Sequence, residues 1–571
     1  MAKSRKRRWI VLLLVIAVAV AAIVARRGGP DIKAGSYVVV DIDGTFAEGP
    51  PDGLFARVFE ERKVLITLLG NLAKAARDER VTGVVARIGT LQSGWAQVRE
   101  IRDALASVKG RGKRVIAFLD GNVPGANKEY YVASVADRIY LAPGGAPMLN
   151  GLSASFIFLG GLWEKAEVGM TVEQIREYKT FGDTVSRRRM SKAHREMANW
   201  ILDGINSEFV ETLAAARGMT PEQIQTIIDT APSTPDSFVE AGLADGVLFL
   251  DQLDDELGGE RPTELVKEST YSKVDGEALG LGGGPKIAVV YAVGTIVPGK
   301  GGGRSVFGVT VGSETLARAF DDAADDPDIR AIVFRVDSPG GSASASDQVW
   351  RSARVARERK PVVASLGDTA ASGGYYMAVG ADRILAEPSS LTGSIGVVLV
   401  KPDVSELLGS IGITTEALTR GRYARILDLT KDLDDQERTL LRAQMDTTYR
   451  LFVDRVAQAR GMTAEEVDSV GGGRVWTGRQ ALERGLIDDL GGFQEALRAA
   501  ATAAEIEDPD RVEIVFYPKP EGLLAELTSI AAAGPTPAWQ QAWTRRLEGL
   551  APYALLDAGI HAISAGTLQI R

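Results

Sequence analysis

The stretch ASGGYYMAVGADRI (371–384) places Ser372 ahead of Gly373 and Gly374, at the start of an amphipathic run. A hydroxyl there lies near the positive end of a helix dipole. The Gly373 N–H is then free to face an oxyanion. A second turn, DSPGG (337–341), directly follows the β-branched run AIVFRV. Its glycines let a ligand come close to backbone N–H groups. Donors from Gly341 and Gly373 together would make a hole for a tetrahedral intermediate. The bland alternative is a serine N-cap with glycines for tight packing, and alone it is the commoner case.

The same phrase occurs earlier as NKEYYVASVADRI (127–139), with Asn127 at the serine position, and DSPGG has become GTLQS (89–93). Turn and serine changed together, as expected if they serve one reaction. Such a serine needs a base. The chain has no cysteine and two histidines, His194 and His561, both remote from these motifs. A thiol nucleophile is therefore excluded, and a His triad or a His-rich metal site has almost nothing to draw on. Lysine is the alternative base. VEQIREYKTFGD (172–183) lines up with EALTRGRYARILD (416–428), which sets Tyr178 against Tyr423 and Lys179 against Ala424. One half keeps the serine and the other keeps a lysine. Burial would lower the pKa of Lys179 enough for base work. An unselected lysine is usually a solvated surface residue.

The elements that must position these groups repeat as well. SYVVVDIDGT (36–45) answers KIAVVYAVGT (286–295), and VTGVVARIGTLQSG (81–94) answers IRAIVFRVDSPGGS (329–342). ARGMTPEQI (216–224) answers ARGMTAEEV (459–467), and VEAGLADG (239–246) answers LERGLIDD (482–489). The chain is thus a tandem duplication. Its joint falls in the Gly-rich stretch 271–286, and GKGGGRS (299–305) reads as a flexible loop without Walker spacing. β-branched runs such as AIVFRV and PVVASL alternate with helical runs at 314–325 and 346–358, the pattern of parallel α/β units.

The apolar share of 45% and charged share of 25% are those of a globular protein, and 571 residues suffice for several domains. At the N-terminus, MAKSRKRR precedes the apolar run Trp9–Ala25, which Arg26 and Arg27 follow. This run is just long enough to span a bilayer, and the basic flank puts the N-terminus in the cytoplasm and the body outside. A cleaved signal peptide is the competing reading, disfavoured by the arginines directly after the run. The whole chain carries a net charge of −9 despite its basic start, which argues against nucleic-acid partners. We expect an anchor over residues 1–30, repeat domains over 31–275 and 286–518, and a helical tail over 519–571.

DSPGGS, then GDTAASGGYYMAVGADRILAEPSSLTGSIGV, with YKT one domain earlier, resembles the long two-domain form of the signal peptide peptidase A (protease IV) family from about residue 36 to 515. The resemblance implies a Clp protease/crotonase superfold: two tandem α/β domains after a transmembrane helix. It implies Ser372 as nucleophile, Lys179 as general base, and Gly341 and Gly373 as the oxyanion hole, with no metal or cofactor. It further implies a homotetrameric bowl at the bacterial inner membrane, with its body on the periplasmic side, degrading hydrophobic signal-peptide remnants. YKTFGD departs from the family's usual sequence around the lysine. Ser394 and Thr392 are candidate hydrogen-bond partners for Lys179, and Leu391, Ile395 and Val397 line either a pocket or the core. The rivals are a crotonase-like enzyme acting on thioesters and a non-catalytic membrane scaffold.

Overall fold

The computed structural model describes residues 29–49, 62–120, 125–257, 264–305, 308–519, 561–563 and 569–570. The expected anchor, Trp9–Ala25, lies outside them. Among the described residues, no helix is long and apolar enough to cross a membrane.

The duplication is written into the sheets. In the first half, parallel strands run in the spatial order Gly246–Val247, Arg138–Leu141, Arg114–Leu119, Val81–Leu91, Ser36–Gly44, Leu265–Lys267. In the second half the same order is Asp489–Leu490, Arg383–Ala386, Val362–Ala371, Ile329–Ser338, Lys286–Val293, Glu513–Tyr517, again parallel. These strands read as unbroken apolar runs because both faces are covered. Ile332, Phe334 and Val336 pack with Phe320 and Val349 from the helices Ser313–Asp325 and Ala343–Arg357. Ala331 and Val333 pack on the other face with Phe493, Ala496 and Ala500. Each fully buried large side chain contributes about 1.5–3 kcal/mol.

The repeated phrases turn out to be scaffold chemistry. Tyr130 Oη donates to the Leu243 carbonyl and Tyr375 Oη to that of Leu486, at 2.6 and 2.7 Å. Asp137 and Asp382 each accept the N–H that opens the neighbouring strand, at Val115 and Val362. ARGMT ends a 26-residue helix in each half, Lys192–Arg217 and Asp435–Arg460, with Gly218 and Gly461 at φ 64°. Glycine takes that left-handed cap without strain, and Thr220 and Thr463 then cap the next helix. GKGGGRS differs from expectation. Gly301–Ser305 is a strand, antiparallel to Gly308–Gly312. A Cβ on Gly301 would lie 2.2 Å from the Gly312 nitrogen, so glycine is what allows the two backbones to meet.

Two contacts lock the halves together. Gly169–Ile175 of the first half pairs antiparallel with Val397–Asp403 of the second, from Gly169↔Asp403 to Ile175↔Val397. Arg335, fully buried in the second half, donates to Glu48 at 2.7 and 3.0 Å and to Glu100 at 2.7 Å, both from the first. The described pieces of the tail are strands. His561–Ile563 lies antiparallel to Gly340–Ser342 and to Val398, and Gln569–Ile570 pairs with Ala154–Ser155. The helical stretch expected around Trp539–Leu550 lies outside the described residues.

Candidate active site

Ser372 stands at the end of the strand Val362–Ala371 and at the N-cap of the helix Gly373–Ala378. Its backbone sits at φ 57°, ψ −115°. This conformation costs a non-glycine residue ~1–3 kcal/mol and persists only where the surroundings dictate it. Here they do. The Ser372 N–H donates to Gly393 O and the Tyr376 N–H donates to Ser372 O, both at 2.8 Å. The two glycines that follow are required by close approach: Cβ atoms there would lie 2.5 Å from Ser346 Oγ (Gly373) and 2.6 Å from Ser338 O (Gly374). A Cβ on Gly373 would also be 3.2 Å from Gly340 Cα, so this turn touches the DSPGG turn. Gly341 in that turn pairs with Ile296, and a Cβ there would overlap Ile296 O at 2.1 Å.

Lys179 comes from the other half. The cross-unit strand Gly169–Ile175 carries it over, and Arg176 (φ 73°) turns the chain inward, anchored to Asp468 at 2.8 and 2.9 Å. The Tyr178 N–H then donates to Gly472 O at 3.1 Å. Lys179 Nζ lies 2.5 Å from Ser372 Oγ, 2.9 Å from Ser394 O and 3.0 Å from Ser394 Oγ. The side chains of Ser372 and Lys179 are both buried, at 0% and 1% exposure. Burial holds the lysine pKa well below its ordinary value. A neutral amine in this place accepts the hydroxyl proton of Ser372, which is the arrangement of an activated nucleophile.

The structure therefore brings Ser372, Lys179, Gly341 and Gly373 into one neighbourhood. Ser394 reaches the lysine, as its sequence position suggested. Thr392 does not: its hydroxyl donates to Ala370 O at 2.8 Å. Ile395 and Val397 are core residues, and Leu391 packs at the edge of the first core. The departure YKTFGD has a packing role. Phe181 joins Val185, Val398 and Val400 under the cross-unit strands, and Gly182 faces Val172, where a Cβ would lie 2.3 Å away. Two glycines were missed. A Cβ on Gly473 would lie 2.3 Å from the Lys179 nitrogen, and one on Gly396 would lie 3.1 Å from Lys179 Cδ. The triplet Gly471–Gly473 was the visible signal, but nothing in it says which chain segment crosses over it.

The first half retains the shape of such a site without its chemistry. Asn127 Nδ2 donates to Asn150 Oδ1 and Gly151 O, and Asn127 Oδ1 accepts from the Gly151 N–H. A cavity of about 950 Å³ remains there, lined by Asn127, Lys128 and Gly151 among others. Among the described residues no cluster has the ligands to hold a metal ion.

The profile of Peptidase family S49 matches residues 108–261 and again 354–507, once in each half. The chain belongs to peptidase family S49. It is similar to "Serine protease SPPA, chloroplastic" of Arabidopsis thaliana, at 35% identity over 87% of this chain and 73% of that one. It is also similar to "Protease 4" of Salmonella typhi, at 32% identity over 78% of this chain and 72% of that one. "Protease 4" of Haemophilus influenzae is 28% identical over 75% of this chain and 71% of the relative. As an S49 member the chain is a serine peptidase built from two tandem family domains, which sets aside the thioester-enzyme and scaffold readings.

Proposed function

We propose that this S49 peptidase is a membrane-anchored endopeptidase in which Ser372 is the nucleophile and Lys179 the general base. The single observation that carries the reading is the 2.5 Å contact between Lys179 Nζ and Ser372 Oγ in a buried setting. Neutral Lys179 takes the hydroxyl proton as Oγ attacks the scissile carbonyl. The oxyanion is received by the N–H groups of Gly341 and Gly373. Lys179 returns its proton to the departing amine, and the C–N bond breaks to leave an acyl-enzyme. Water, deprotonated by the same lysine, then releases the acid and restores the serine.

Extended peptides fit the cleft. The backbone of His561–Ile563 runs antiparallel to Gly340–Ser342, beside the serine's turn, and pairs with Val398 on its other side. A substrate strand that takes the place of His561–Ile563 in that slot gains the same kind of main-chain hydrogen bonds. The apolar run Trp9–Ala25 supports placement at the inner membrane with the body on its periplasmic side, and cleaved signal-peptide remnants are the hydrophobic substrates such a site would meet.

The homotetramer that the family resemblance implies would use an unpaired copy of the cross-unit contact. With Lys179 set against Ala424, the second half's equivalent of Gly169–Ile175 is 414–420, which forms no strand and lies within the exposed stretch containing Ile411, Ile413 and Leu418. The first half's equivalent of Val397–Asp403 is 152–158, where Ile157 is 73% exposed and, among the described residues, only the two-residue strand Gln569–Ile570 pairs. In the proposed ring a neighbouring copy supplies each missing partner through a heterologous contact, the kind that forms a ring when its rotation closes. Hydrolysis of apolar peptides by full-length protein in detergent tests the enzyme reading. Ser372→Ala and Lys179→Met should each lose about 10⁴–10⁶ in rate, as members of such units do elsewhere. Retention of hydrolysis by either variant overturns it.

A further inference from the structure

We infer that Arg474 is a positioning residue for the general base, clamping Lys179 from both ends. This inference rests on the proposed role of Lys179 and adds to it a device that holds the lysine in place across the two halves.

Arg474 follows the glycine triplet Gly471–Gly473. Its carbonyl accepts the Ser394 N–H at 2.6 Å, and Ser394 in turn meets Lys179 Nζ through both its carbonyl and its hydroxyl. Ser394 has φ 55°, a strained value for a serine, so an external hold is needed to keep it there. The side chain of Arg474 works on the other end. Its guanidinium carbon lies 4.0 Å from the ring centre of Tyr178, the residue immediately before Lys179, and 5.3 Å from that of Trp200. Tyr178 and Trp200 are stacked at 6.3 Å and 19°, and Trp200 and Trp476 at 5.6 Å and 10°. Arg484 closes the far side over Trp476 at 3.8 Å.

Both halves contribute to the stack. Tyr178 and Trp200 belong to the half that carries the lysine, while Arg474, Trp476 and Arg484 belong to the half that carries the serine. Cation–π contacts strengthen as they are desolvated, and Tyr178 and Trp476 are buried while Arg474 and Trp200 are half-buried. The contact therefore ties the lysine's backbone to the same residue that seats the lysine's acceptor. A displacement of about 1 Å at such a base costs about 100-fold in rate. The charged groups around the stack include Arg474 itself, Arg484 over Trp476, and the Arg176–Asp468 pair, to which Tyr449 Oη donates. Loosening the stack admits water to the amine and moves its pKa toward the ordinary lysine value.

The test is the pH dependence of kcat in full-length protein for wild type, Arg474→Met and Arg474→Lys. Arg474→Met should lose roughly 10- to 100-fold in kcat at neutral pH with KM little changed. Its acid limb should move to higher pH, so that the deficit narrows as pH rises, and Arg474→Lys, which keeps a cation over the rings, should recover part of the rate. A deficit that is the same at every pH overturns the inference, because a merely structural loss has no reason to follow the protonation of Lys179. If Arg474→Met does not fold, Trp200→Ala against Trp200→Phe reads the same stack from the lysine's side, with the same two outcomes. Wild type showing no acid limb, or Lys179→Met retaining activity, would instead overturn the assignment of Lys179 as the base.

Discussion

As the proposed base Lys179 works only as a free amine, and its burial has consequences that can be measured in two ways. The charged form is disfavoured in the fold but not in the unfolded chain. Activity should therefore rise with pH through the depressed pKa and fall on the acid side, as a pH–rate profile would report. Stability carries the opposite mark. The unfolded chain takes up the lysine proton below the ordinary lysine value, so the residue costs stability as pH falls from there to its folded pKa. Lys179→Met should raise the melting temperature at pH 7 while abolishing activity, and the gain should shrink at pH 10. Ser394→Ala removes one of two acceptors for the amine but leaves the carbonyl, and should cost about fivefold in kcat. At this scale much was legible beforehand. Ser372 stood out because its turn and hydroxyl were lost together from the first half, and Lys179 because its counterpart is Ala424. Thr392 misled because residues two apart share a face only while the strand continues; it ends at Gly393, and Ser394 turns away at φ 55°.

The elements explain why the dyad forms at all. Strand Gly169–Ile175 leaves its own half and adds to Val397–Asp403, and the lysine segment then lies flat on Gly472 and Gly473. Gly473 has φ 85° and no room for a side chain against Lys179. Gly473→Ala should lower activity by at least as much as a 1 Å displacement of the base, about 100-fold, while a circular dichroism spectrum of folded protein is retained. A further joint sits at Asp368, in the strand that leads to the serine. Half-buried Asp368 accepts the N–H groups of Gly94, Ala96 and Gln97, capping the first half's helix Trp95–Gly110. Asp368→Ala should cost about 1–2 kcal/mol in denaturant unfolding. Parallel strands, the two long helices and the ARGMT caps could be read from local patterns. The cross-unit pairing could not, since strand partners are chosen by tertiary contacts and the equivalent segment 414–420 forms no strand.

Across the whole molecule, each half has lost one component and the interface restores both. Arg335 is central to that interface. Replacing it with Met leaves Glu48 and Glu100 buried without their cation, which should destabilise the protein by about 3–5 kcal/mol. The proposed ring makes a separate forecast. Leu418 is 97% exposed in the single chain, and Leu418→Glu should lower the mass seen by light scattering of detergent-solubilised protein without altering its fold. The duplication itself was plain from six repeated phrases, and the identical strand orders agree with it: the Tyr and Asp phrases close matching hydrogen bonds in each half. The repeats pointed to Lys179 meeting Ser372, since one half keeps the serine and the other the lysine, but not to the strand pairing that carries the lysine across. The most direct measurement is the rate of Ser372 labelling by a fluorophosphonate, mapped by mass spectrometry, as a function of pH in wild type and Lys179→Met. We predict that the adduct falls on Ser372, that its rate drops at acid pH, and that Lys179→Met labels orders of magnitude more slowly. Labelling of Lys179→Met at the wild-type rate, or an adduct on another serine, would contradict a site assembled from both halves.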